Sequence, residues 1–132
     1  MQMPIYENKA DHRLPGWNKT KKSKWIISIE QEKDVFISGY KAKWFDGENI
    51  WSLKSADKTL DVIGEDHRPR FIKKGKTYTE LVLAKFVEHT TNCWHGYPVN
   101  ALTDFPSSEI LKAWNKSPGI PKKEIMKLNK AK

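Results

Sequence analysis

The chain holds a single cysteine, Cys93, so no internal disulfide can form and a small cross-linked scaffold is excluded. A lone thiol suits a reducing compartment, and the cytoplasm is the expected location. Long apolar runs are also missing. No stretch approaches the roughly 20 apolar residues that a bilayer-spanning helix needs. Residues 1–9 carry no basic segment followed by an apolar one, so no secretory leader is expected. With one cysteine there is no paired Cys-x-x-Cys, which removes the common zinc fingers and ribbons. Gly-x-Ser-x-Gly, the Walker phosphate loop, the Rossmann glycine set and His-Glu-x-x-His are all absent, and with them the usual hydrolase, nucleotide-binding and zinc-protease signatures. Internal repeats and low-complexity tracts are missing as well.

What is present is a ring-rich, strongly basic chain of 132 residues, a length that suits one domain. Six Trp, five Phe and four Tyr supply enough large rings for a compact core. The formal charge is +8, from 24 basic and 16 acidic residues, and it is unevenly spread. Lys19, Lys21, Lys22 and Lys24 form one acid-free island. Arg68, Arg70, Lys73, Lys74 and Lys76 form a second. Residues 112–132 form a third, with seven lysines against Glu124. A molecule polarised in this way attracts polyanions at long range.

The pattern of residues predicts an α+β fold. Residues 1–23 read as an irregular arm, punctuated by Pro4, Pro15 and Gly16 and pinned by Leu14 and Trp17. Residues 24–132 read as a single domain. Alternating apolar positions predict strands over 25–30, 35–45 and 49–53, the last two joined by the hairpin signal Asp46-Gly47. The result is an antiparallel meander over residues 25–53. Residues 60–63 and 70–72 read as short edge strands. Tyr78, Leu81, Val82, Lys85, Phe86 and His89 have helical spacing, and Thr77 with Glu80 resembles a capping box, which predicts a helix over 77–90. A strand over 77–83 is the alternative, because the segment is rich in β-formers. Two further helices are predicted over 107–116 and 121–130, and residues 92–98 read as a loop.

Several groups of residues are candidates for function. Trp94, His95 and Tyr97 put two stacking faces and a group that titrates near neutral pH beside Gly96. Together with Arg68, Arg70, Lys73, Lys74, Lys76, Lys123, Lys127 and Lys130, they are the candidate nucleic-acid contacts, because lysine and arginine neutralise phosphates while rings stack on bases. His67, His89, Cys93 and His95 are the candidate metal ligands. His95 with His89 or His12 is the candidate acid–base pair of a metal-independent RNase. The connection over 115–121 is too long and too proline-rich for a helix-turn-helix. Tyr40 and Trp44 alternate with Lys41 and Lys43, so a strand there would put rings and charges on opposite faces. The leading expectation is a non-catalytic nucleic-acid-binding module with no resident cofactor. The alternatives are an adaptor or inhibitor of the toxin-neutralising or host-takeover type, docking on an acidic protein partner, and a small RNase.

Overall fold

The computed structural model describes residues 3–56 and 59–131, with side chains described as far as Leu128. In chain order it contains β1 (Ile5–Tyr6), β2 (Lys24–Trp25), α1 (Ile29–Ala42), β3 (Phe45–Asp46), β4 (Asn49–Leu53), β5 (Ser55–Ala56), β6 (Thr59–Leu60), β7 (Gly64–Asp66), β8 (Thr79–Leu81), β9 (Leu83–Thr90), β10 (Cys93–Val99), α2 (Ser108–Lys116) and α3 (Lys122–Ala131). Short 3-10 turns cover Ala10–His12 and Pro69–Phe71. The class is α+β with three helices, but several segments differ from the sequence expectation. Of the strand expected over 25–30 only Trp25 lies in one, because Ser28 caps a helix that begins at Ile29. Of the short edge strands, only Leu60 of 60–63 is in a strand, and Pro69 starts a 3-10 turn where the sequence predicts an extended segment over 70–72.

Residues 35–45 are not a strand: most of them lie in α1. The helix is started by Ser28, whose hydroxyl accepts from the Gln31 amide while the Gln31 side chain accepts from the Ser28 amide. This reciprocal cap, with Glu30 and Glu32 in the first turn, favours a helix start. The apparent alternation of Phe36 and Tyr40 is equally a spacing of four, which places both on one helix face. The meander therefore reduces to the hairpin of β3 and β4, turned at Gly47 with φ of +63°.

Residues 77–90 are not a helix. They form β8 and β9, in line with their content of Thr, Tyr and Val. Residues 92–98 are not a loop either. Almost all of them lie in β10, which has β1 on one side and β9 on the other. Gly96 and Pro98 are poor strand residues, and they conceal this element in the sequence. Gly96 lies opposite Phe86, whose ring occupies the space a larger side chain would need. The helices read over 107–116 and 121–130 are present as α2, capped by the Ser107 hydroxyl, and α3.

The main sheet has five strands in the order β1-β10-β9-β4-β3, with β1 parallel to β10 and the other pairs antiparallel. Alternation along the strands divides the core in two. Val35 and Phe36 of α1 pack with Ile50, Ala84, Phe86 and Trp94. The neighbouring residues Trp51, Leu53, Leu83 and Val99 pack instead with Ile110, Trp114, Ile120 and Ile125 of the α2–α3 region. A smaller sheet, β2-β7-β8, lies beside them.

The first 23 residues contain β1, and a buried carboxylate fastens this region to α1. Glu32 is fully buried and accepts from the Tyr6 hydroxyl, from Asn8 Nδ2 at 2.8 Å, and from Arg13 Nε at 3.0 Å and its terminal nitrogen at 2.7 Å. Burial, then the Glu32 carboxylate, push the Tyr6 phenol far above its usual range. Among the described residues, no helix is long and apolar enough to cross a membrane.

Candidate nucleic-acid interface

Pairing of β2 with β7 joins two of the three basic islands. Lys24 lies opposite Glu65, and Trp25 opposite Gly64. The chain leading into β2 therefore lies beside the chain leaving β7. Across this junction runs a line of rings. Lys24 Nζ sits 4.7 Å from the Trp17 ring centroid. Trp17 meets His67 edge-on at 5.0 Å, and His67 stacks on Tyr78 at 5.2 Å. The Trp17 indole is held in place because its N–H donates to the Lys22 carbonyl at 2.8 Å. His67 Nε2 donates to Glu65 Oε1 at 2.8 Å, which places its proton and fixes its ring. Next to this line, the guanidinium carbons of Arg68 and Arg70 each lie 4.7 Å from the Phe71 centroid. The Thr79 hydroxyl donates to the Phe71 carbonyl at 2.8 Å, tying this turn to β8.

The charge balance of the strip is positive. Glu65 is answered by Lys24, and Asp66 by Arg68. Among the described residues, Arg70, Lys73, Lys74 and Lys76 enter no ion pair, and all four are exposed. A cleft of about 520 Å³ opens between Phe71, Lys73, Lys76, Tyr78 and Leu102. Tyr78 is 37% exposed and forms part of its wall. Glu80 is the acidic residue on the same rim.

Arg68 also borders a polar pocket of about 370 Å³ with His12, Lys21, Lys22, Tyr97 and Asn100. Its base is a buried network. Arg68 forks onto Asp66 at 2.9 and 2.7 Å, and Asn100 Nδ2 donates to the same carboxylate at 3.0 Å. Burial raises the Asp66 carboxyl, but these hydrogen bonds more than reverse it and hold the group below the usual range. His12 is buried, stacks on Tyr97 at 5.3 Å, and donates from Nδ1 to the Ser23 carbonyl at 2.9 Å.

Burial lowers the His12 imidazole, a shift that the Ser23 contact only partly offsets. The folded state therefore resists a proton that the unfolded chain accepts below about pH 6.5. The sign follows: the contribution to stability is complete above that value and is lost as pH falls from it toward the lower, folded-state value. We expect the thermal midpoint to fall more between pH 7 and pH 5 in the wild type than in His12→Asn, whose amide can replace the Nδ1 donor. Equal falls in the two proteins would show that His12 is not responsible.

The other candidates from the sequence are distributed as follows. Trp94 is buried against Phe36 and Phe45 and has no face for a base. Tyr97 lines the polar pocket with Arg68 and is not part of the ring line. His95 lies away from both and meets His89, with their Nδ1 atoms 3.2 Å apart. Burial, followed by Lys9 and His89, holds His95 below its usual range. Cys93 is beside these two histidines, whereas His67 belongs to the ring line, so the four proposed metal ligands do not meet at one point. Lys123 and Lys127 are exposed on α3, which packs in the second core cluster and is not joined to the strip by any of these contacts. The Lys130 side chain lies outside the described residues.

Sequence reasoning missed the half-buried Trp17 and Phe71 and the exposed Tyr78 as candidate rings. Helical spacing places Tyr78 on an apolar helix face, and Trp17 reads as an anchor of the arm. The available signal was the density of rings inside the two basic islands, which no periodicity could reveal. No protein-family model, curated protein or solved structure matches the chain.

Proposed function

We propose that the chain binds single-stranded nucleic acid, without cleaving it, on the strip formed by the first two basic islands. The observation that carries this reading is the line Lys24–Trp17–His67–Tyr78 beside unpaired Arg70, Lys73, Lys74 and Lys76. Rings at the surface take unpaired bases by stacking, and unpaired cations follow the phosphates. Bases inside a duplex are not available to such rings, so single strands are the preferred form. The adjoining polar pocket offers Lys21, Lys22 and the Arg68 N–H groups that Asp66 leaves unused.

The test is a fluorescence-anisotropy titration with short single-stranded RNA, single-stranded DNA and duplex DNA. Four phosphate contacts predict an affinity loss of about 50-fold between 50 and 200 mM salt for a single strand. Tyr78→Ala is expected to weaken single-strand binding by about 5- to 150-fold, the equivalent of one stacked base, while Tyr78→Phe keeps it. Lys73→Glu with Lys74→Glu should flatten the salt dependence, and Lys123→Glu with Lys127→Glu should cost far less. No binding at low salt overturns the reading. An RNA end-point that falls with time would replace it by the RNase. A protein partner is the second reading, favoured by an apolar groove of about 340 Å³ lined by Leu111, Trp114, Ile120, Ile125 and Met126 between α2 and α3.

A further inference from the structure

At the opposite end of β9 and β10 from α2 and α3, four chemically reactive side chains meet. β10 contributes Cys93 and His95, β9 contributes His89, and Glu7 follows β1, whose pairing brings it alongside: the Glu7 amide donates to the Trp94 carbonyl at 2.8 Å. A β-bulge helps to assemble the group. Thr90 lies opposite Cys93 and Glu88 opposite Trp94, which leaves His89 without a ladder partner. Bulges commonly re-aim one side chain in this way. The Cys93 thiol donates to Glu7 Oε1 at 2.9 Å, and His89 Nε2 lies 3.7 Å from Glu7 Oε2. One ligand atom from each of Glu7, His89 and Cys93 falls within 4.8 Å of the other two.

We infer that Glu7, His89 and Cys93 form a binding site for a divalent zinc-like cation. Thiolate, imidazole and carboxylate are the three donor types that zinc takes, and three protein ligands leave the fourth tetrahedral position open to water. His89 presents Nε2 toward Glu7. Its other nitrogen, Nδ1, is 3.2 Å from His95 Nδ1. His95 is thus a positioning residue that accepts the Nδ1 proton and fixes the ring, the usual arrangement around a metal-bound histidine. His89 and Glu7 are exposed, so an ion can enter; Cys93 is buried beneath them. Lys9 is close enough to act on both Glu7 and His95 and opposes the incoming charge. Binding replaces the S–H···O contact by a metal–sulfur bond, and the thiol proton leaves to solvent. The ion would tie the segment after β1 to the β9–β10 hairpin. This site is independent of the nucleic-acid strip.

The experiment uses the full chain, stripped of metal under reducing conditions and titrated with Co²⁺ and then with Zn²⁺. The expected result is a sulfur-to-cobalt charge-transfer band that saturates at one equivalent, is bleached by Zn²⁺, and is accompanied by a rise in thermal midpoint. Cys93→Ser should abolish the band. Glu7→Gln, an exposed change that leaves the fold intact, should weaken binding. His95→Ala should weaken it by about 10- to 100-fold while retaining the band. His67→Ala should leave binding unaltered. Absence of the band in the wild type overturns the inference, as does a band that survives Cys93→Ser or is lost in His67→Ala.

Discussion

Replacing Glu32 by alanine is expected to remove about 3–5 kcal/mol of stability, a large part of the 5–15 kcal/mol typical of such a domain. The effect is this large because Glu32 is a hub rather than one half of a pair. Its fully buried carboxylate receives Tyr6, Asn8 and two nitrogens of Arg13. The alanine variant leaves the Arg13 guanidinium, whose side chain is only 18% exposed, without its counter-charge in a place where water cannot fully replace it. Tyr6 would lose its hydroxyl partner in the same step, although its ring would remain packed on Phe36 and Phe86. Chemical denaturation of the variant measures the loss, and Arg13→Ala in the same background completes a double-mutant cycle. A loss below about 1 kcal/mol, the range of an exposed ion pair, would mean that the buried hub does not form. Because β1 and Glu7 lie on the segment that Glu32 anchors, the variant should also show earlier hydrogen exchange at Ile5 and Glu7, whose amides bond to the Asn92 and Trp94 carbonyls.

The second large effect is at Gly96. A Cβ there would stand 2.1 Å from Phe86 Cδ1, 2.6 Å from Cε1 and 2.7 Å from the Lys85 carbonyl oxygen. The first contact would require the ring to move, and the ring has nowhere to go. Phe86 is fully buried among Tyr6, Trp25 and Phe36, with centroids 5.4 to 6.2 Å away. The carbonyl belongs to the ladder and cannot yield without breaking it. Overpacking usually costs about 1–3 kcal/mol, and Gly96→Ala should lie at or above the top of that range. Gly75→Ala is the comparison. It meets nothing within 4 Å and carries only the strain of φ at +86°, about 1–2 kcal/mol. Gly96→Ala combined with Phe86→Leu should recover part of the loss. If Gly96→Ala proves milder than Gly75→Ala, the pairing of β9 with β10 is out of register.

Both residues bear on how much of the molecule could be read in advance. The α+β class, the Asp46-Gly47 hairpin and the helices α2 and α3 follow from local signals: turn chemistry, a serine cap, a proline and an apolar stripe. Where the sequence misleads, two periods coincide. Phe36 and Tyr40 fit both an alternating strand and a helix, and the deciding signal is Ser28 with Gln31, a cap that lies upstream of the apolar residues. Tyr78, Leu81, Val82, Lys85 and Phe86 present the reverse case, helical spacing in a stretch that forms β8 and β9. β10 is hidden because Gly96 and Pro98 look like loop residues, yet the glycine is there for a reason that exists only in three dimensions. The opposed Phe86 demands the glycine. At the candidate site, the two basic islands were visible as charge. Their junction was not, because it depends on β2 pairing with β7 across 40 intervening positions in the chain. The Cys93–His89–His95 grouping was legible as proximity in sequence. Glu7 was not, because it arrives through the parallel pairing of β1.

The measurement that tests the central claim most directly is a side-chain NMR titration of the isotope-labelled protein with a short single-stranded RNA. Stacked bases should shift the ring signals of Trp17, His67 and Tyr78 together, with saturation at one binding constant, while Trp44 and His89 stay in place. Shifts confined to α3, or ring signals of Trp17 and Tyr78 that stay fixed while the RNA binds, would contradict the account.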